Sequence, residues 1–367
     1  MRKPLAALIL LGTLLLAACG EPEPVRIGFL GGLSDRNTDV GDAGRNGVIL
    51  AVEQWNREGG IQGRPIELIA RDDAQKAETA ARAAAELGQA RVEAVIGPFT
   101  SAMAAAAVPV LARSDTLLIS PTLSAMAFYA KDDNLVRINR STRDNAGDYA
   151  RMLYQRGQRR VAVAYDTRNR VFSESWLEEF RRAFTSGGGA IVAETAYDSQ
   201  PDTDFAQVVR RLLRNDPDGL LYVAGAIDVA RLAQQSRRQA PRLPIAASEW
   251  AASEQLTELG GSLVEGLLIL QNYNRYDESP RYVAFRDAFA QRFQRLPGYS
   301  AVAAYDAATV LFTALSRRQR GDSVKAAVLK YGPYQGLQQQ ISFDAFGDTT
   351  RQAFFTEIQQ GRFVLVR

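Results

Sequence analysis

The chain of 367 residues contains no histidine and only one cysteine, Cys19. Without histidine it cannot form a Ser-His-Asp triad, a histidine-ligated zinc site or an imidazole general base. A single cysteine cannot form a disulfide within the chain, so the fold must rely on its apolar core. We therefore expect a protein that is not an enzyme and that needs neither a metal nor a cofactor.

A strong excess of charge of either sign is also absent. The 44 lysines and arginines exceed the 41 acidic residues by a formal charge of +3. Removal of Arg2 and Lys3 with an export signal would lower this excess further. Nucleic-acid binding needs a concentrated basic surface, which so small an excess does not supply. We therefore expect no nucleic-acid partner.

An apolar run over residues 5–16 follows Arg2 and Lys3 and ends just before Cys19. Its length of about 12 residues is too short for a membrane-spanning helix, which needs roughly 20. Leu16-Ala17-Ala18-Cys19 resembles the bacterial lipobox, which implies cleavage before Cys19 and acylation of its sulfur. We expect a signal peptide over 1–18 and a lipidated tether over 19–24, on the outer side of either membrane of the cell envelope. An ordinary signal peptide with a chance cysteine is the alternative.

Short apolar runs alternate with helical patterns along the rest of the chain. The first series predicts strands over 25–29, 65–71, 92–96 and 116–120, and helices over 44–57, 78–87 and 102–113, with a helical turn near Ala125. The second series predicts strands over 160–165, 190–197, 219–223 and 243–247, and helices over 175–186, 204–215 and 228–239. Repeated strand–helix units form parallel sheets, so two doubly wound α/β domains are predicted. Near the C-terminus, 343–348 is predicted to be a strand end and turn, and 352–359 with 362–366 a closing hairpin.

Four local patterns occur in a fixed order. They are Asn56-x-x-Gly59-Gly60-Ile61-x-Gly63, Asp72-Asp73-Ala74-Gln75, Val95-Ile96-Gly97-Pro98 and Ile119-Ser120-Pro121. Together they resemble the branched-chain amino-acid binding proteins, the type I periplasmic solute-binding family of ABC importers, over essentially the whole mature chain. Read as residues alone, the glycines suit a turn with unusual backbone angles, and the two aspartates suit loop capping better than an acid pair.

The resemblance implies two parallel-sheet lobes joined by a hinge of three chain crossings, which lets the lobes close on a ligand. The matching crossing positions are 139–143, 270–272 and 336–339. We therefore expect an N-terminal lobe of residues 25–141 and 271–337 and a C-terminal lobe of residues 142–270 and 338–367.

Ligands of open parallel sheets bind beyond the carboxyl ends of the strands, so the candidate residues lie in loops that follow strands. Thr100 and Ser101 lie between a strand and a helix, where backbone N–H groups and hydroxyls can hold a carboxylate. The resemblance matches Ser101 with the family's carboxylate-binding serine; a simple helix N-cap is the alternative. Thr122, Leu123 and Ser124 match a second contact loop that offers a hydroxyl and main-chain groups, although Ser124 also suits an ordinary turn.

Two further candidates come from the second series of strands. Glu249 matches the family's acidic residue that pairs with the ligand ammonium, with a solvated loop carboxylate as the alternative. Phe172 matches an aromatic residue that stacks on the ligand, with a plain core aromatic as the alternative. Ala226 stands where family members often place an aromatic side chain, and Val40 replaces a first-loop aromatic. These departures weaken the prediction that the ligand is leucine, isoleucine or valine.

Two charged patterns have residue types that are typical of ion-binding sites. Asp35-x-Asn37-x-Asp39 begins like an EF-hand loop, but Val40 replaces its glycine and Asn46 its closing glutamate, so no calcium site is predicted. Arg168 and Arg170 bring positive charge near the predicted cleft, which favours an anionic group unless they only solvate the loop.

The leading prediction is a lipid-anchored extracytoplasmic protein, expected to be a monomer, that captures an amino acid or related small molecule and delivers it to an ABC permease. The alternative is an outer-membrane lipoprotein on the same fold that regulates a partner, for example in peptidoglycan synthesis, and has a vestigial cleft. Gly20 favours that alternative. In some sorting systems an aspartate after the lipidated cysteine retains a lipoprotein at the inner membrane, whereas a glycine there would permit export to the outer membrane. An enzyme built on Glu249 and Asp166 would need a defined carboxylate separation, which a sequence does not supply.

Overall fold

The computed structural model describes residues 22–34 and 39–366, so the signal peptide, Cys19 and most of the Asp35–Asp39 pattern lie outside the described residues. The strands are β1 Val25–Gly31, β2 Ile66–Asp72, β3 Ala94–Ile96, β4 Leu117–Ser120, β5 Leu135–Arg137, β6 Arg160–Asp166, β7 Ala190–Tyr197, β8 Gly219–Val223, β9 Ile245–Ala247, β10 Leu268–Gln271, β11 Tyr334–Gln335, β12 Gln340–Ile341, β13 Phe354–Gln359 and β14 Arg362–Leu365. The α-helices are α1 Asp39–Arg57, α2 Ala77–Gln89, α3 Ser101–Leu111, α4 Thr142–Gln155, α5 Arg170–Ser186, α6 Phe205–Leu212, α7 Ala226–Gln239, α8 Glu254–Gly260, α9 Pro280–Phe293, α10 Tyr299–Arg317 and α11 Val324–Lys330. Within these two described ranges, no helix combines the length and apolar character that a membrane crossing requires.

The first sheet contains five parallel strands in the order β2-β1-β3-β4-β5. Ile27 of β1 lies opposite Leu68 on one side and opposite Ala94 on the other. Both faces of the sheet are covered, which explains why its inner strands β3 and β4, buried at every residue, read as apolar runs. Val48 of α1 and Phe312 of α10 belong to the core on one face. Helices α2 and α3 cover the other face, and we call this sheet with its helices the first lobe.

The second sheet contains seven strands in the order β14-β13-β10-β9-β8-β6-β7. Strands β7, β6, β8, β9 and β10 are parallel, whereas β13 and β14 run antiparallel and form the predicted closing hairpin. Helices α4 and α5 pack on one face and helices α6, α7 and α8 on the other, and we call this assembly the second lobe. The prediction of two doubly wound α/β lobes is therefore confirmed, with a mixed rather than wholly parallel second sheet.

The predicted elements agree with the structure to within a few residues at most ends. Strands β7 and β8 have the predicted bounds, whereas α1 begins at Asp39 and α5 at Arg170, each five residues before the predicted start. Residues 343–348 form the predicted turn but no strand, because β12 ends at Ile341. The sequence patterns did not predict β5, β10, β11, β12, α4, α8, α9, α10 and α11.

The glycines of the first recognised pattern have the structural role that was expected. Gly59, Gly60 and Gly63 all have positive φ, at 99°, 71° and 78°. A Cβ on Gly60 would lie 2.0 Å from the carbonyl oxygen of Arg64, so no side chain fits there. The tight turn returns the chain from α1 to β2.

The adjacent aspartates cap their loop, as expected. Asp72 accepts hydrogen bonds from the N–H groups of Leu33 and Ala74 at 2.8 Å, and Asp73 accepts one from Gln75 at 2.8 Å. Burial raises the pKa of Asp73 to about 6. Both carboxylates therefore bind backbone N–H groups of the same turn, and Asp72 also connects this turn to Leu33.

The chain passes between the lobes three times, and the passages meet beside Tyr299. Asn139 from the first passage, Asn272 from the second and Arg351 from the third line one small cavity with Tyr299. Arg351 donates to the Asp306 carboxylate of α10 at 2.8 Å, with both side chains buried. The same carboxylate accepts a 2.8 Å hydrogen bond from the N–H of Leu337.

The third passage lies later than the predicted 336–339. Strand β12 pairs with β11, and Ile341 belongs to the core of the first lobe. Asp348 remains paired with Arg137, the last residue of β5, and β13 begins at Phe354 in the second sheet. The predicted boundary between 337 and 338 is therefore wrong, because apolar burial and an ion pair hold 338–348 on the first lobe.

A buried ion pair fixes this returning segment. Arg137 is 1% exposed and donates through Nε to Asp348 Oδ1 at 2.7 Å and through Nη1 to the carbonyl of Ala125 at 3.2 Å. The second oxygen of Asp348 accepts a 2.7 Å hydrogen bond from the N–H of Ala130. Removing the carboxylate would leave the guanidinium buried without its counter-charge.

We predict that Asp348→Asn lowers the free energy of unfolding by about 3 kcal/mol, because breaking a buried pair leaves an uncompensated charge. Urea unfolding followed by fluorescence measures the change. Asp322→Asn is the matched control, because Asp322 pairs with Lys330 at the surface at 3.2 Å and its loss should cost less than about 1 kcal/mol. Equal losses in both variants would contradict the assigned role of the buried pair.

Candidate functional site

A cavity lies between the lobes where the carboxyl ends of both sheets face each other. Its volume is about 30 Å³, room for only one or two water molecules. We call it the inner cavity, and its lining residues are Phe99, Thr100, Ser101, Thr122, Ser124, Asn139, Asn169, Phe172, Glu249, Trp250, Asn272 and Tyr299. The structure therefore brings together six of the eight candidate residues; Leu123 and Ala226 do not line this cavity.

The first lobe presents the N-terminus of α3 to the inner cavity. Ser101 is the first residue of the helix and is 2% exposed. Thr100 occupies the N-cap position, but its side chain makes no capping hydrogen bond, and its buried Oγ1 has no partner among the described residues. The simple-cap alternative for Ser101 is therefore wrong, because the cap position belongs to Thr100. A helix N-terminus with a free hydroxyl favours an anionic group.

The neighbouring loop after β4 is held in place by hydrogen bonds to its backbone and side chains. The Thr122 hydroxyl donates to the carbonyl of Phe99 at 2.6 Å, and Asn139 donates to the carbonyl of Thr122 at 2.9 Å. The carbonyl of Ser124 accepts from the N–H of Thr142 at 2.8 Å. The fully buried side chain of Leu123 packs in the core of the first lobe, so this residue can offer a ligand only its main chain.

The second lobe presents a buried carboxylate. Glu249 is 5% exposed and accepts hydrogen bonds from Asn145 at 2.9 Å and from the indole N–H of Trp176 at 3.0 Å. Burial raises the pKa of Glu249, although these hydrogen bonds and the positive charge of Arg140 oppose the rise. Each oxygen accepts one bond from these donors and keeps a further lone pair. The solvated-carboxylate alternative is therefore wrong, and the carboxylate favours a cation in the cavity.

Aromatic side chains form the apolar wall. The rings of Phe172 and Trp250 meet edge to face with centroids 5.7 Å apart. Ala226 packs in the core of the second lobe, and a Cβ built on the preceding Gly225 would lie 3.6 Å from the Trp250 ring. Trp250 therefore covers the start of α7, where Ala226 replaces the aromatic residue of the resembled family.

One hydrogen bond joins the two lobes across the inner cavity. Asn169, the residue before α5, accepts a 3.0 Å hydrogen bond from the N–H of Ala102 in the first turn of α3. The flanking arginines do not line the cavity: Arg168 pairs with Asp166 at 3.3 Å and Arg170 with Glu174 at 3.5 Å. An amide rather than a guanidinium therefore contacts the helix terminus.

Six lining residues were not among the candidates: Phe99, Asn139, Asn169, Trp250, Asn272 and Tyr299. Phe99, Asn169 and Trp250 lie in the same predicted loops as candidate residues, and Asn139 and Asn272 lie in the expected crossings. Tyr299 begins α10 and does not follow a strand. The rule that ligands bind in the loops after strands therefore does not predict it.

We predict a pH-dependent stability difference between the wild type and Glu249→Gln. Because the folded state raises the pKa of Glu249, this group adds stability at low pH and loses it as the pH rises through the folded pKa. The unfolding free energy of the wild type should therefore fall relative to that of Glu249→Gln between pH 4 and 8, measured by urea unfolding. The exposed control Glu178→Gln should follow the wild type throughout. A constant difference for Glu249→Gln would contradict the assigned environment.

The sequence was compared with protein families and with known proteins. Residues 24–362 match the family model described as periplasmic binding protein. The leucine-, isoleucine-, valine-, threonine- and alanine-binding protein of Pseudomonas aeruginosa is 21% identical over 331 residues, covering 89% of this chain and 87% of the relative. The Leu/Ile/Val-binding protein of Escherichia coli K12 is 23% identical and covers 89% and 88%.

Solved structures share the fold. The substrate-binding protein of a branched-chain amino acid transporter from Streptococcus pneumoniae, in complex with isoleucine, superposes with a TM-score of 0.86 at 23% identity, covering 94% of this chain and 99% of that one. A leucine-binding protein from Thermotoga maritima gives a TM-score of 0.85 at 22% identity, covering 94% and 98%. A solute-binding protein from R. palustris in complex with benzoate gives a TM-score of 0.83 at 18% identity, covering 94% of this chain and 95% of that one. The family match over almost the whole described chain, together with the two-lobed fold, shows that this chain belongs to the periplasmic binding protein family.

Proposed function

We propose that this protein is a lipid-anchored extracytoplasmic receptor that captures an α-amino acid between its lobes and delivers it to an ABC permease. The observation that carries the proposal is the pairing of opposite chemistries in one cavity. The first lobe contributes the N-terminus of α3 with Ser101, and the second lobe contributes the buried carboxylate of Glu249. An α-amino acid has a carboxylate and an ammonium on one carbon, so it can bind the helix N-terminus and Glu249 at the same time.

The carboxylate of the ligand would bind at the N-terminus of α3. Thr100 and Ser101 line the inner cavity at the start of α3, where the backbone N–H groups of the first turn lack partners within the helix and the two hydroxyls add donors. The N–H of Ala102 already binds the amide oxygen of Asn169 from the second lobe. The amide of Asn169 thus lies beside the carboxylate position and helps to define it.

The ammonium of the ligand would bind Glu249. Asn145 and Trp176 hold the carboxylate in a fixed direction, so little conformational entropy is lost when the cation arrives. A charge-assisted hydrogen bond in a cavity with little water is stronger than one at the surface. The ammonium also offsets the cost of burying a carboxylate.

Named relatives support an amino acid as the ligand class. The matched proteins of Pseudomonas aeruginosa and Escherichia coli are named for the binding of leucine, isoleucine and valine, and the Streptococcus pneumoniae structure contains isoleucine. The R. palustris neighbour holds benzoate, which carries a carboxylate without an ammonium. The buried carboxylate of Glu249 favours the amino acids over simple carboxylates for this chain.

The lipid anchor is part of the proposal and rests on Cys19, which lies outside the described residues. The segment that leads from it is attached directly to the first lobe. Arg64 donates to the carbonyl of Glu23 at 2.7 Å and to that of Pro24 at 3.2 Å, just before β1 begins at Val25. An acylated Cys19 would therefore hold the first lobe close to the membrane surface.

We predict that an α-amino acid stabilises the purified protein after removal of co-purified ligand by unfolding and refolding. Ligand at about 1,000 times its dissociation constant adds roughly 4 kcal/mol, which raises the melting temperature by several degrees. Thermal unfolding with L-amino acids, their amides and short carboxylates measures the selectivity. Amides and simple carboxylates should shift the temperature less, because each lacks one of the two charged groups.

Two variants locate the binding groups. Glu249→Gln should abolish the shift and Ser101→Ala should weaken it, whereas the exposed Glu178→Gln should leave it unchanged. An amino-acid shift that survives Glu249→Gln would disprove the ammonium contact. A flat response to the whole panel would favour the regulatory lipoprotein and redirect the search to protein partners.

We predict that the full chain incorporates labelled fatty acid and sediments with membranes, and that Cys19→Ser abolishes both. The physical reason is that the proposed acyl chain is attached to the Cys19 sulfur, which the serine variant lacks. Metabolic labelling followed by membrane fractionation measures both properties. Labelling that persists in Cys19→Ser would exclude the anchor at this position.

A further inference from the structure

A second and much larger cavity lies on the other side of Tyr299. It has a volume of about 440 Å³, and we call it the outer cavity. Its lining comes from the start of α1, from α8 and from the segment before α10, and includes Asp39, Ser253, Glu254, Glu258, Arg295 and Tyr299. Both lobes contribute to it, because α1 belongs to the first lobe and α8 to the second.

The two cavities differ in volume in the way that one ligand occupying both would require. The inner cavity, at about 30 Å³, is far below the several hundred cubic ångströms typical of ligand sites. The outer cavity has that typical size. The side chain of an amino acid held by its backbone groups in the inner cavity needs additional space, and the outer cavity provides it.

Tyr299 links the two cavities. Among the described residues, it is the one that lines both of them. Burial raises the pKa of Tyr299 well above its usual value, and the negative charges of Asp39, Glu249 and Glu254 raise it further. The tyrosine therefore lies within electrostatic reach of the inner carboxylate and of two outer ones. A ligand that extends past this ring would pass from one carboxylate environment to the other.

The charges that line the outer cavity are mostly negative. Asp39, Glu254 and Glu258 contribute carboxylates, and the exposed Arg295 contributes the one positive charge among the lining residues. Glu254 is paired with Arg275 at 2.9 Å. The ion pairs of the described residues include none with Asp39 or Glu258, so a cation in this cavity would find carboxylates able to receive it.

Asp39 is held at the junction of the lobes. Its Oδ2 accepts a 2.7 Å hydrogen bond from the hydroxyl of Ser253, which lies just before α8 in the second lobe. Burial raises the pKa of Asp39, more than this hydrogen bond lowers it. The Ser253 hydroxyl of the opposite lobe thus holds the Asp39 carboxylate in place. Because the hydroxyl is neutral, it does not balance the negative charge of the carboxylate.

We propose that the outer cavity receives the positively charged end of the ligand side chain, so that the captured amino acid is a basic one such as lysine or arginine. The inference rests on the proposed amino-acid function and adds the side-chain class. The ligand would carry two cations and one carboxylate. Its ammonium would bind Glu249, its carboxylate would bind α3, and its distal cation would bind Asp39 with Glu258 nearby.

The test compares L-lysine with L-norleucine, which has the same carbon skeleton without the distal ammonium. Isothermal titration calorimetry on the detergent-solubilised full chain, freed of bound ligand by refolding, measures both dissociation constants. We expect lysine to bind tighter by on the order of tenfold or more, with a steeper loss of affinity at high salt. This comparison needs no variant and so does not depend on the folding of one.

Asp39→Asn keeps an acceptor for Ser253 and removes the charge. It should weaken lysine binding by on the order of tenfold while changing norleucine binding little. Asp42→Asn is the matched control, because Asp42 lies in the same helical turn, pairs with Arg45 at 3.1 Å and does not line the outer cavity. Glu258→Gln, on an exposed side chain, should weaken lysine binding to a smaller extent.

The outcomes separate this inference from the proposed function. Norleucine binding as tight as lysine binding, or lysine binding that Asp39→Asn leaves unchanged, would overturn the basic side chain and leave amino-acid capture intact. Failure of lysine, norleucine and every other amino acid to bind would overturn both. Tighter lysine binding that is lost in Asp39→Asn but kept in Asp42→Asn would support the assigned cavity.

Discussion

The two-lobed arrangement depends on a buried carboxylate in the middle of α10. Asp306 accepts hydrogen bonds from Arg351, in the last passage between the lobes, and from the N–H of Leu337, in the turn that precedes it. Arg351 shares a small cavity with Asn139 and Asn272 from the other two passages. Asp306 therefore holds the last passage at Arg351, while the Arg137–Asp348 pair holds the residues before it on the first lobe.

Much of the fold could be predicted because parallel sheets carry their signal in short stretches. A strand buried on both faces is a run of apolar residues, and β8, whose five residues are all buried, could be bounded from such a run alone. The C-terminal half of the first lobe gave a weaker signal. Helix α10 buries residues around most of its circumference, so its apolar residues do not form the single stripe that marks a surface helix. The late third passage depends on an ion pair between Arg137 and Asp348, residues far apart in sequence, which no local pattern records.

The candidate site was predictable to the extent that its residues follow strands. Ser101, Thr122 and Glu249 could be placed by this rule, and they line one cavity. Leu123 follows a strand as well, but its side chain turns into the core, because a large apolar residue gains more from burial there. Tyr299 comes from the start of a helix in a segment that returns to the first lobe, so only the folded chain reveals its place at the cavity. The N-terminus of α3 and the carboxylate of Glu249, which favour opposite charges, meet only because the two lobes face each other. Neither sequence segment alone predicts this pairing.

The attachment of the N-terminal segment has a consequence for encounter with a membrane partner. Arg64 fixes the carbonyls of Glu23 and Pro24 at the amino end of β1, the edge of the sheet opposite to the cavities. Five residue steps separate Cys19 from Pro24, a reach of roughly 17 Å when fully extended. An acyl chain on Cys19 would thus confine each molecule to a thin layer above the bilayer. With such an anchor, the encounter with the proposed permease would be a search in two dimensions at high effective concentration, which weak docking contacts would suffice to complete.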